Sequence, residues 1–270
     1  MNVLKYPLPI RTAASRRSYS KSPTNPGLLY DRFAPWESIR GSETLDKRKF
    51  LAEICREAER VDKDLLNSFV SRWQSIAKSI NAEIFELETD WRFLTGIGLN
   101  NRLEVGFLFN KYGFPLIPGS GCKGIARSFA LAQVAEKHPE KNINEWDKEF
   151  STGEGGAIRA IFGTQVAAGH AIFLDAIPLQ PPRLEVDVMT PHFVEYYSGD
   201  SWPLDSLDPK PIPFLTVAPK QKICFAVGWR GEPSNPDFKY FSNAADWLKR
   251  GLTELGAGAK TNAGYGYFSE

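Results

Sequence analysis

The chain has 270 residues, with 33 Lys+Arg, 32 Asp+Glu and 3 His, for a formal net charge of +1. That balance excludes a histone-like polycation and an acidic disordered tail. With 42% hydrophobic and 24% charged residues the composition is globular, with enough apolar content for a sizeable core in one large domain or two small ones.

Residues 1–42 are rich in Ser, Pro and Arg and show no sustained periodicity, so they read as an extended arm. Lys5, Arg11, Arg16, Arg17 and Lys21 precede the first acid, Asp31. Such a basic start resembles an organelle transit peptide, but Pro7 and Pro9 argue against the amphipathic helix that signal needs, and they interrupt any secretory signal core. An extended basic arm is the better reading. Residues 43–80 carry one apolar stripe, Leu51, Ile54, Ala58, Val61, Leu65, Phe69, Trp73, Ile76 and Ile80. The spacing predicts a long helical extension started by Ser42 or Thr44; so long a helix is unusual, and a bend or break is expected near Asp62.

From Glu83 the texture changes. Residues 83–91 alternate like a half-buried strand, and 103–109 read as a second strand. A turn at Lys111–Gly113 and a short run Phe114–Ile117 lead to the glycine-rich stretch 118–124 and a helix over 125–136. Residues 138–168 are mixed, with a short helix near Ala157–Phe162. Strands are expected at 171–177, 184–189 and 221–229, and a helix at 241–255. The Pro-rich stretch 191–219 looks too irregular for a core element, and the closing Tyr-Gly-Tyr-Phe268 can form a short strand. Without its decorations this order is β-α-β-β-α-β. The fold class is therefore α+β, with a ferredoxin-like (RRM-like) core over 83–270, insertions at 138–168 and 191–219, and the N-terminal helical extension.

Two glycine clusters carry the interest. Gly119-Ser-Gly-Cys-Lys-Gly124 matches G-x-G-x-x-G, but no acidic residue follows at the end of a second parallel strand, and Lys123 follows Cys122, so neither a dinucleotide site nor a P-loop is supported. A phosphate-contacting turn would use Ser120, the Gly121 backbone, Lys123 and, one turn on, Arg127. The alternative is a tight turn into a helix with both cations solvated. The second cluster holds Gly256, Gly258, Gly264 and Gly266 around Lys260 and Thr261; its glycines would let the backbone approach a ligand, or simply make a flexible loop. Trp91, Tyr196, Tyr197, Tyr265 and Tyr267 add aromatic surface of the kind that stacks unpaired bases.

Catalysis finds less support. His138 and His170 sit in polar loops, and only His192, after Met189-Thr-Pro191, has interesting neighbours. No nucleophile elbow accompanies it. Glu185 and Asp187 share one strand face and could do acid/base work or form salt bridges. Cys55, Cys122 and Cys224 are isolated, with neither a disulfide framework nor ligand spacing, and read as buried thiols in a reducing cytoplasm. No metal and no cofactor are expected. No run of 18 apolar residues predicts a membrane span, and no membrane partner is expected.

Three segments together resemble one family. Pro115-Leu-Ile-Pro-Gly-Ser-Gly-Cys-Lys-Gly-Ile-Ala-Arg127 resembles the P-x-IPGSSLKG-x-x-R segment of the RAMP superfamily, the RNA-binding subunits of CRISPR effector complexes. Gly256 to Phe268 resembles its C-terminal Gly-rich loop. Val186-Asp-Val-Met-Thr-Pro-His-Phe193 with Tyr196-Tyr197, Asp208-Pro209 and Pro213 to Val217 is similar to the family of sixth subunits of type III-B (Cmr) complexes. Gly121-Cys122 departs from the commoner Ser-Leu while keeping the turn. The resemblance implies a ferredoxin-like core and a role in guide-RNA-directed antiviral defence, near the 3′ part of the guide–target duplex. It implies partnership with guide RNA, target RNA and other Cmr subunits, with target cleavage belonging to a different subunit. On that implication Ser120, Gly121, Lys123, Arg127, His192, Gly258, Lys260, Thr261 and Gly264 would contact RNA, and the chain would have no catalytic residue. The rival expectation is a metal-independent endoribonuclease of the same superfamily, processing guide RNA with His192.

Overall fold

The computed structural model describes residues 4–5, 24–34, 36–39, 42–99, 103–152, 156–190 and 211–270. At the start, β1 (Leu4–Lys5), α1 (Pro26–Arg32), β2 (Trp36–Ile39) and β3 (Ser42–Thr44) follow in order, and the three strands pair antiparallel. The Asn25 side chain accepts from the Leu28 amide and Pro26 opens the helix, so a stretch expected as an arm contains α1, with Leu29 and Tyr30 in the main core.

The long helix is two: α2 (Lys47–Glu59) and α3 (Lys63–Ser79). The break falls at the expected bend, because the Asp62 carboxylate accepts from the Asp64 and Leu65 amides and starts a new helix. The buried face then differs from the simple stripe. In α3 Leu66, Trp73 and Ala77 are buried, while Leu65 and Ile76 stay at the surface.

β4 (Glu83–Thr89) follows. The expected strand at 103–109 is not one. Its alternating Leu103, Val105 and Phe107 are buried, but its backbone turns back on residues 95–97 through Leu108 N–H to Thr95 O and Gly106 N–H to Ile97 O. Next come α4 (Gly119–Lys137), α5 (Ile143–Thr152) and α6 (Gly156–Phe162), with α4 starting six residues before the expected helix. β5 (Ala171–Phe173), β6 (Ile177–Pro178), β7 (Leu184–Met189), β8 (Ile212–Val217), β9 (Lys222–Trp229), α7 (Phe241–Glu254) and β10 (Phe268–Ser269) complete the order. β8 corrects the reading of 191–219 as irregular: its Phe214, Leu215 and Val217 are buried, and Pro213 is tolerated because the β7–β8 sheet has only two strands.

The architecture is mixed α/β with antiparallel sheets. The main sheet runs β10–β4–β9–β5, with β6 also on β9. β9 is apolar on both faces, which is why it is central. Ile223, Phe225 and Val227 join the main core with Ala126 and Phe268 and with Ala244, Ala245 and Leu248 of α7. On the opposite face Cys224 and Ala226 pack with Ile177 against Trp73 and Ala77 of α3. Ile80 packs close over Gly228, where a Cβ would lie 2.6 Å from Ile80 Cδ1. The sheet is therefore covered on both faces along β9.

Among the described residues no helix is long and apolar enough to cross a membrane. All three thiols are free; Cys122 and Cys224 are buried and Cys55 only partly, and burial pushes each pKa up to about 12.

Candidate nucleic-acid interface

The two glycine clusters, more than a hundred residues apart in the chain, meet at one open cleft of about 450 Å³. The start of α4 supplies Pro118, Gly121, Gly124 and Ser128, and the loop after α7 supplies Gly256, Gly258 and Thr261. Gly121, Gly124 and Ser128 recur at helical spacing, so one stripe of α4 carries little side chain, with Ile125 beside it also lining the cleft. A Cβ on Gly124 would meet nothing within 4 Å. Phe93, Thr95 and Ile117 also line the cleft. Sequence reading missed Thr95 and Ser128; the small-residue spacing at 121, 124 and 128 was the available signal for the latter.

The start of α4 is partly occupied. The Gly119 amide donates to Asp175 Oδ1 at 2.7 Å, so the cap comes from the chain after β5. The Asp175 carbonyl also accepts from the Trp73 indole at 2.8 Å, which ties α3 to the same point. The next two orphan amides of the first turn belong to Ser120, which is exposed, and Gly121.

Lys123, expected at one phosphate with Ser120 and Gly121, and Arg127, one turn on, each have a protein acceptor. Lys123 Nζ donates to the Phe162 carbonyl at 2.8 Å, and burial, aided by the charges of Arg127 and Arg230, lowers its pKa. Arg127 donates to Asp147 Oδ1 from Nη2 at 2.6 Å and from Nε at 3.0 Å, and to Ser151 Oγ at 3.1 Å. These cations fasten α4 to α5 and α6. Asp147 and Phe162 lie twenty or more residues further on, so nothing local to the motif announces them.

The C-terminal loop is not a free loop. The Ala259 amide donates to Leu94 O and the Gly266 amide to Arg92 O. Gly258 has φ +77 and a Cβ there would fall 2.1 Å from Leu94 O, so the chain's own packing demands that glycine. Gly264 is exposed at φ +87 with open space around it. Lys260 takes a left-handed φ of +62, and its Nζ lies 5.0 Å from the Phe214 ring centroid and 5.8 Å from that of Tyr265. The loop is latched by Tyr265, whose hydroxyl donates to Asp187 Oδ2. Glu185 and Asp187 resolve as salt-bridge residues: Arg92 Nε donates to Glu185 at 2.9 Å and Nη1 to Asp187 at 3.0 Å. Burial draws the Asp187 pKa upward, but the Tyr265 hydroxyl, the Val188 amide and the charges of Arg92 and Lys260 outweigh it and leave it lowered. Burial and the Asp187 contact push Tyr265 up to about 12.

His192, with Tyr196 and Tyr197, lies outside the described residues. His170 is stacked on Trp229, with Nδ1 2.9 Å from Arg230 O, and His138 is exposed beside Glu140. Among the described residues no group of three or more His, Cys, Asp or Glu could hold a metal ion.

Comparison with known proteins gives a consistent family. The model of the RAMP superfamily matches residues 84–269. The CRISPR system Cmr subunit Cmr6 of Pyrococcus furiosus is 30% identical over 256 residues, covering 77% of this chain and 73% of that protein. The Saccharolobus solfataricus Cmr6 is 25% identical over 267 residues, covering 94% and 82%. A chain of the type III-B Cmr-beta complex, solved by cryo-EM with cognate target RNA bound, superimposes with a TM-score of 0.56 at 23% identity, covering 96% of this chain and 86% of that one.

Proposed function

This chain belongs to the RAMP superfamily, and we propose that it is a non-catalytic RNA-binding and assembly subunit of a type III-B (Cmr) effector ribonucleoprotein, working in the cytoplasm. The observation that carries this is the convergence of the two glycine clusters on one cleft. The Cmr6 names of its relatives and the RNA-bound complex containing its structural neighbour support the assignment. We read the connectivity β4–α4–β5–β9–α7–β10, with antiparallel order β10–β4–β9–β5, as the ferredoxin-like plan, and α2–α3 as a helical addition of which α3 covers the sheet's second face.

In this reading guide RNA lies along the cleft toward its 3′ side. The orphan amides of Ser120 and Gly121 and the Thr261 hydroxyl meet its backbone, Gly258 and Gly264 let it approach, and Lys260 pairs with a phosphate. Lys123 and Arg127 contribute by positioning the small-residue stripe of α4. His192 belongs to the segment facing the duplex or a neighbouring subunit.

The test fills the cleft without disturbing the fold. Gly124→Leu, placed where a side chain has room, and Lys260→Ala are assembled into the reconstituted complex and the bound guide RNA is measured. RNA retention falls at least several-fold in the double variant. Full retention in a correctly assembled complex would overturn the assignment. Incubating the purified chain with labelled RNA addresses the rival: metal-independent cleavage abolished by His192→Ala favours the endoribonuclease.

A further inference from the structure

A second cationic-aromatic site lies outside the cleft, on the turn between Asn110 and Phe114. Asn110 Oδ1 accepts from the Tyr112 and Phe114 amides, Gly113 takes a φ of +85, and Asn25 Nδ2 donates to Lys111 O at 3.0 Å, so the turn is firmly held. Tyr112 packs on Phe69 of α3, with ring centroids 5.3 Å apart, and remains half-buried. Two exposed cations meet on this one ring. Arg72 Nη2 donates to the Tyr112 hydroxyl at 2.8 Å, with its Cζ 5.6 Å from the ring centroid, and Lys111 Nζ lies 5.0 Å from the same centroid. The Arg72 hydrogen bond, above all, lowers the Tyr112 pKa.

Two cations on one ring without an ion pair set this cluster apart: Lys239 over Tyr240 and Lys260 at the cleft also make no ion pair among the described residues, but each is a single cation. Arg92, Lys141, Lys249 and Arg250 also lie over rings, but each has a carboxylate partner. Arg72 and Lys111 make no ion pair among the described residues. Ile76, one turn beyond Arg72 on α3, adds exposed apolar surface. Because α3 covers the sheet, bases cannot stack on β9, and aromatic surface for them must come from the rim. The turn is also near the cleft: Ile117 is five positions after Tyr112, a reach of at most about 18 Å.

We propose that Tyr112, Arg72 and Lys111 form a second single-stranded RNA contact, taking one nucleotide with its base on the Tyr112–Arg72 pair and its flanking phosphates on the two cations. An aromatic ring beside cations suits a base and its backbone at once. The site rests on the RNA-binding reading above and extends it to α3, which carries no family motif.

The test uses the full chain in the reconstituted complex and a short mixed-sequence RNA containing 4-thiouridine. Arg72→Ala with Lys111→Ala, both at the surface, should reduce the salt dependence of binding by about 1.4 in slope. Tyr112→Leu should weaken binding roughly five- to a hundred-fold, and crosslinked RNA should map to the 110–114 peptide. Lys260→Ala serves as the reference for the cleft. If the Arg72/Lys111 variant binds like the parent while Lys260→Ala is impaired, the second site is overturned and the cleft stands. If neither variant changes binding, both readings fail. Lost subunit assembly with intact RNA binding would instead assign the cluster to an acidic protein surface, and would equally overturn the proposal.

Discussion

At Gly124 a Cβ would meet nothing within 4 Å, whereas at Gly258 it would fall 2.1 Å from the Leu94 carbonyl oxygen. The two residues line the same cleft, yet one glycine leaves room and the other fills it with backbone. Their cations differ in the same way. Lys123 and Arg127, next to the roomy segment, are held by Phe162 and Asp147, while Lys260, in the tight one, rests on two aromatic rings. A cation's place in a motif therefore does not say whether it serves a ligand or the framework. In this chain the helix at the cleft needs its charges to be positioned, and the stitched loop is already positioned by its backbone.

That contrast can be broken most directly at Gly258. Gly258→Ala combines a left-handed φ with a collision against backbone and should cost on the order of 3 kcal/mol; an unchanged urea midpoint would remove the claim that packing demands this glycine. Next in size, Arg127→Ala should lose about 1–2 kcal/mol by freeing Asp147 and loosening α4 from α5. Its effect on stability should exceed that of Lys260→Ala, and its effect on RNA retention should be smaller. A reversed ranking in paired melting and RNA-binding measurements would return Arg127 to the RNA.

Asp187→Asn probes the latch. The folded pKa of Asp187 is depressed, so its contribution is present above the unfolded value of about 3.9 and is lost as pH falls through the lower folded one. At pH 7 the variant should be less stable by about 1 kcal/mol, and the gap should close in acid below about pH 4. A gap independent of pH would mean that the carboxylate charge is not what holds Tyr265 and Arg92. The smallest expected effect has the opposite sign. Gly124→Ala should stabilise α4 by roughly 0.5–1 kcal/mol, and a thermal shift downward would show that the helix face is not as open as described.

Much of this was legible before any fold was known. A bend or break near Asp62 follows from the unusual length of the apolar stripe, and both glycine clusters from composition. What pattern could not supply was partnership. Leu103, Val105 and Phe107 alternate like a strand because a loop buries them, and β8 hides in a Pro-rich stretch, with Pro211 before it and Pro213 within it, although Phe214 to Val217 are buried. The Asp175 cap, the Asp147 pair and the Phe162 acceptor all reach the start of α4 from elements distant in sequence. Local rules do not see such contacts, and they decided which cations are committed to the framework.

The central position of β9 bears on how the chain comes to be folded. Among the described residues β4 pairs with β9 and β10, both made more than a hundred residues later. Loop closure on that scale makes such sheets slow to form. During synthesis β4 and the apolar face of α3 emerge long before the strand that unites them, and an unpaired strand with exposed apolar surface invites misassembly. Production of this subunit should therefore be sensitive to translation past residue 229, and a chain truncated before β9 should aggregate rather than accumulate as a smaller folded domain.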